Sequence, residues 1–129
     1  MPRLTAIAFL GLAFWFGAPA DPQTQLDMNR VADQAVRHAD AKLDAAVATY
    51  RARLDESQRA AFDEAQRLWV AYRKATCDFE ASGVSGGSAH EMLLAVCLQD
   101  YANQRLEIVT KLMSCPEGNL SCPPLRRGF

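Results

Sequence analysis

Four cysteines and two histidines are the residues of this 129-residue chain best able to do chemistry. They are Cys77, Cys97, Cys115 and Cys122, with His38 and His90. A structural zinc site needs C-x2-C pairs or histidines at matching spacing. The cysteines are spread too widely for that, and His38 and His90 stand far apart in sequence. There is no C-x-x-C redox pair and no C-x-x-C-H for haem, and no strand leads into a G-x-S-x-G nucleophile elbow. The acidic residues alternate with basic ones at helical i,i+4 spacing, as on an ordinary helix exterior. The pattern predicts no metal, no cofactor and no catalytic centre, so disulfide formation is the chemistry left to the cysteines.

The N-terminus supports that reading. Arg3 precedes an almost wholly apolar run from Leu4 to Phe16, followed by the small-x-small triplet Ala18-Pro19-Ala20. This is the layout of a cleaved secretory signal over residues 1–20. The run is shorter than the roughly 20 residues that a spanning helix needs. Export to the periplasm or the medium places all four cysteines in an oxidising compartment. Four cysteines allow three pairings.

Helical periodicity dominates the remainder. Met28, Ala32, Val36, Ala39, Leu43, Val47, Tyr50 and Leu54 recur at steps of three or four, after a T-x-x-D start at Thr24. Asp55 and Gln58 mark a second start, followed by Phe62, Ala65, Trp69, Tyr72, Thr76 and Phe79. The run from Ser82 to Gly87 breaks the pattern. Ser88 and Glu91 form an S-x-x-E box, and Leu93, Leu94, Cys97, Leu98, Tyr101, Ile108, Val109 and Leu112 follow. Pro116 and Pro123-Pro124 keep the tail out of a helix. No strand alternation is present.

The predicted fold is all-α: three long antiparallel helices near 24–53, 56–81 and 89–113, with a disulfide-clipped C-terminal tail. The helical domain covers 21–113 and the tail 114–129. Each helix would be about 37 to 45 Å long at 1.5 Å per residue. Cys77 lies one turn before the Gly/Ser loop and Cys97 two turns after it, so a hairpin brings them to the same height. That pairing closes a loop worth about 3 kcal/mol in the chain-entropy model. Cys115 and Cys122 then clip the tail. The net charge of −1 lacks the basic footprint of a nucleic-acid binder. Arg126-Arg127 reads as a frayed end.

The run from Gln66 through Trp69 and Arg73 to Cys77 resembles the Q-x-x-W-x-x-x-R-x-x-x-C signature of the LprI-like family. Gly86-Gly87-Ser88, Cys97 and Arg105-Leu106 follow in the family's order. Leu26-Asp27-Met28-Asn29, the Ala39–Asp44 segment and the Cys115–Cys122 tail are also similar. The resemblance covers nearly the whole chain after the signal. Two further cysteines frequent in the family are missing together, where this chain reads Asp21-Pro22-Gln23 and Arg30-Val31-Ala32.

The resemblance implies an exported inhibitor that binds lysozyme and blocks its cleft. The contact it suggests is the loop Ser85, Gly86, Gly87 and Ser88, with His90 beside it. A glycine-rich projection fits a narrow sugar-binding cleft, and its hydroxyls imitate saccharide hydrogen bonds. The plainer reading is that Gly86 and Gly87 reverse the chain while Ser88 caps the third helix. The alternative function is a structural or interaction module that binds another envelope protein through a helical face. Trp69 sits mid-stripe and reads as core. Arg73, Arg105 and Asp40 border their apolar faces, and a partly buried charge needs a partner. Asp40 is therefore expected to pair with Arg73 or Arg105.

Overall fold

The computed structural model describes residues 22–116 and 118–123. The expected export signal at 1–20 and the basic pair Arg126-Arg127 lie outside the described residues. Helix α1 spans Pro22–Ala52, α2 spans Glu56–Glu80, a short 3-10 turn covers Ala81–Val84, and α3 spans His90–Met113. No strand occurs among the described residues.

The start of α2 is the capping box expected from the sequence. Gln58 donates its backbone N–H to Asp55 Oδ1 at 2.8 Å, and Asp55 donates its own to Gln58 Oε1 at 3.2 Å. The other two starts differ from expectation. Helix α1 is already helical at Pro22, the first described residue, ahead of the Thr24–Asp27 box. Helix α3 has Ala89 at its cap with no side-chain hydrogen bond, so Ser88 does not cap it. His90 donates to the Gly87 carbonyl, which winds the turn directly into the helix. Ala89 is thus already in helical geometry, unlike the extended backbone of a side-chain cap.

Helices α1 and α3 form the closest pair, and they run in the same direction. Asn29 meets Ser88 near their starts and Arg53 meets Met113 near their ends. Along α2 the order reverses: Gln66 meets Arg105, Arg73 meets Leu98 and Cys77 bonds Cys97. The expectation of three antiparallel helices is refined accordingly, since its closest-packed pair is parallel. Small residues line that pair. Ala39 and Ala102 join Leu43, Tyr50, Leu54, Phe62 and Val109 in the main core, while Ala32, Val36 and Ala95 form a second cluster towards the helix starts. Small side chains let two helix ridges interlock closely. Tyr50 closes the far end by meeting Phe62 edge-on at 5.0 Å.

Helix α2 presents a different face from the predicted stripe. Phe62 is buried and Trp69 and Thr76 are half-buried, but Ala65, Tyr72 and Phe79 are exposed. The inward face carries Phe62, Gln66, Trp69, Arg73 and Cys77. A purely apolar count misses this face because two of its members are polar. In α3 the deepest residues include Ala95 and Ala102, while Leu93 and Ile108 are exposed.

Candidate functional site

Two groups of sequence-marked residues come together at different places. The first lies between the helices. Arg73 of α2 donates from its Nε and a terminal nitrogen to the Leu98 carbonyl of α3, at 3.0 and 2.6 Å. The same guanidinium lies 2.7 Å from Asp40 Oδ1 of α1. No N–H points along that line, so the contact is ionic rather than a directed hydrogen bond. Asp40 therefore pairs with Arg73 and not with Arg105. Arg105 instead donates to Gln66 Oε1 at 2.6 Å. Trp69 sits among them, with the Arg73 and Arg105 guanidinium carbons 5.5 and 5.8 Å from its ring centre. Desolvation by burial lowers the Arg105 pKa from its ordinary value, although arginine remains charged in proteins. The five residues Asp40, Gln66, Trp69, Arg73 and Arg105 tie three helices together, through the Arg105–Gln66 hydrogen bond, the Arg73–Asp40 ion pair and the Arg73 bonds to the Leu98 backbone.

The second group is the loop. Ser85, Gly86, Gly87 and Ser88 are all exposed, and His90 is half-buried at the start of α3. Gly86 has φ +79°, a left-handed conformation that other residues rarely adopt. Gly87 donates to the Val84 carbonyl at 2.9 Å, and a Cβ on Gly87 would stand 3.1 Å from that same oxygen. Gly86 is therefore favoured by its backbone conformation, and Gly87 by its close approach to the Val84 carbonyl. His90 Nδ1 lies 3.8 Å from Glu91. Among the described residues, no group of three His, Cys, Asp or Glu side chains is arranged to hold a metal.

Bracing of the loop comes from residues to which the sequence assigned no role. Asn29 donates from Nδ2 to the Ser88 carbonyl at 3.0 Å, and Gln25 donates to Asn29 Oδ1 at 2.8 Å. Gln25 is itself buried. The available signal was two polar residues continuing the apolar face of Ala32 and Val36 at i,i+4 spacing. Below the loop, the Cys77–Cys97 disulfide ties its two flanking helices, with Cα atoms 5.6 Å apart. The second disulfide, Cys115–Cys122, clips the tail.

The architecture defines a small all-α domain, stapled by disulfides, with a braced glycine turn at one end. No helix among the described residues is long and apolar enough to cross a membrane. Comparison with known proteins places the chain more closely. It belongs to the family described as lysozyme inhibitor LprI, which matches residues 17–107. That span holds the interhelical cluster, the loop and Cys77–Cys97, but not the clipped tail. The chain is also 32% identical over 107 residues to an uncharacterized protein of Rhizobium meliloti (strain 1021), covering 73% of this chain and 77% of that protein. No solved structure matches it. A family of inhibitors rather than enzymes, together with two disulfides, fits an extracytoplasmic protein.

Proposed function

We propose that this protein is a periplasmic or secreted, non-catalytic inhibitor that binds lysozyme and inserts the Ser85–Ser88 loop into the cleft. The family supports the class of target. The observation that carries the choice of contact is the bracing of an exposed turn from both sides, by Asn29 on α1 and by Cys77–Cys97 beneath it. A turn held in one conformation loses little entropy on entering a cleft, which favours affinity. Its glycines keep it narrow, and Ser85 and Ser88 supply hydroxyls where sugar hydroxyls would lie. Glu80 and Glu91 flank it, a sign of charge suited to a cationic lysozyme.

The test is titration of the oxidised protein into a lysozyme activity assay, with calorimetry alongside. The expected result is stoichiometric inhibition that disappears in Ser85→Arg and in Gly86→Asp. Ser85→Arg adds bulk and like charge with no demand on the Gly86 backbone, so its result stands apart from loop strain. Absence of heat and inhibition at tens of micromolar would remove lysozyme as the target. Full inhibition by Ser85→Arg would move the contact elsewhere.

A further inference from the structure

The outer face of α2 repeats on its own rhythm. Ala61, Ala65, Leu68, Tyr72, Ala75 and Phe79 are spaced four, three, four, three and four apart, and every one is exposed. That is the a/d spacing of a coiled-coil seam. Leu68, Tyr72 and Phe79 are 53%, 56% and 78% exposed. The intramolecular core does not use this seam, because the inward face of α2 is the one carrying Phe62, Trp69 and Cys77. Tyr72 also meets Tyr101 of α3 edge-on at 5.8 Å. Exposed Leu93 and Ile108 share the helical face of Cys97 and Tyr101, so the apolar strip continues onto α3.

We propose that this strip is a self-association surface, on which two copies of the chain pair through antiparallel α2 helices. The spacing is its own mirror image. With the two-fold axis beside Val70, Ala61 faces the partner's Phe79, Ala65 faces the partner's Ala75, and Leu68 faces the partner's Tyr72. A large side chain thus meets a small one at each end, and the alanine layers let the backbones approach. The seam spans about 27 Å at 1.5 Å per residue. The exposed parts of Tyr72 and Phe79 amount to roughly 250 Å², taking about 200 Å² for a whole ring side chain. With Leu68, the alanines, Leu93 and Ile108 the strip reaches on the order of 500 Å² per copy, the low end of specific interfaces, which describes a reversible dimer.

Charge also favours a second copy over a strongly charged partner. Glu64 is paired with Arg67 and Lys74 with Asp78 along the edge of the seam, so that edge is neutral. In the dimer the two glycine loops point to opposite ends, and neither is covered. The proposal stands independently of what the loop binds.

The test uses the full chain, expressed with its own N-terminus and purified after export. Its mass is followed by sedimentation and light scattering from about ten to several hundred micromolar, the range for so small an interface. The expected result is a rise from monomer to dimer mass. Leu68→Glu and Tyr72→Lys should each be monomeric with unchanged circular dichroism, and an equimolar mixture should regain dimer mass, because position 68 faces position 72 of the partner. Phe79→Ser, at the most exposed site, should shift the midpoint at least several-fold if Leu68→Glu fails to fold. A wild-type protein that stays monomeric throughout overturns the proposal. So does a dimer indifferent to Leu68→Glu and Phe79→Ser, or a mixture of the two charged variants that stays monomeric.

Discussion

Arg73 donates two N–H groups to the carbonyl of Leu98, a backbone oxygen 25 residues further along the chain. That side chain is only 12% exposed, whereas the Asp40 carboxylate on its other side is 41% exposed. The half-buried guanidinium is thus satisfied mainly by backbone, and its counter-charge stays partly in water. Arginine is suited to this role because its planar fork presents parallel donors with little loss of rotamer freedom.

Two substitutions separate these contributions. Arg73→Lys keeps the charge but loses the fork, and is expected to cost about 1–3 kcal/mol in urea unfolding. Asp40→Asn keeps the shape and removes a partly solvated ion pair, with an expected cost below about 1 kcal/mol. Equal costs would place the energy in the ion pair instead. An unchanged Asp40→Asn would leave the pair with no role in stability.

Trp69 lies against two guanidinium groups, one of which, Arg105, is desolvated. Trp69→Leu retains apolar bulk while removing the π faces. The expected loss is about 1–3 kcal/mol, from cation–π attraction and from packing against the main core. The chain has two tryptophans, Trp15 and Trp69. In a chain that starts at Asp21, Trp69 is the one tryptophan, and its fluorescence reports directly on separation of α2 from α3.

The two disulfides differ in what they hold. Cys77–Cys97 joins elements of the bundle across 20 residues, and Cys115–Cys122 spans 7 residues of tail. Replacing the first pair by serine should cost about 3 kcal/mol of bundle stability. Replacing the second should alter the unfolding midpoint of the helices little, since none of the tail's described residues joins either core cluster. Circular dichroism melts of the two double mutants measure the contrast.

Asn29 acts on the loop from a distance in sequence. Asn29→Ala removes one side-chain hydrogen bond to the Ser88 carbonyl. If the loop is the inhibitory contact, inhibition should weaken two- to tenfold, the equivalent of about 0.5–1.5 kcal/mol. The substitution also takes the Oδ1 acceptor from buried Gln25, so stability should fall by about 1–3 kcal/mol in urea unfolding. Unchanged inhibition would show that bracing from α1 is not needed.

Acid should weaken the far end of the bundle. Hydrogen bonding from Arg51 holds the Asp63 carboxyl below its ordinary pKa, and Arg67 does the same for Glu64. A carboxyl lowered in the folded state stabilises it above the unfolded value, near pH 4, and that gain is lost as pH falls through the lower folded value. Both pairs are exposed, so the effect is small and screened by salt. Melting temperatures between pH 5 and 2 should fall less steeply in Asp63→Asn than in the wild type.

Local signals determined much of this protein. Helix count and approximate limits followed from apolar periodicity and from the Gly/Ser break. The Asp55–Gln58 cap followed from chemistry confined to four residues. The Cys77–Cys97 pairing followed from rise per residue on either side of one loop. What the tertiary structure decided was which face of α2 turns inward. Burying Gln66 and Arg73 in place of Tyr72 and Phe79 depends on a donor at Arg105 and acceptors at Leu98 and Asp40, brought near only by packing, and one of these is a backbone oxygen with no sequence signature. The same reason hid the parallel α1–α3 pair and the bracing of Ser88 by Asn29. Periodicity describes one helix at a time, whereas partners for buried polar groups exist only once helices meet.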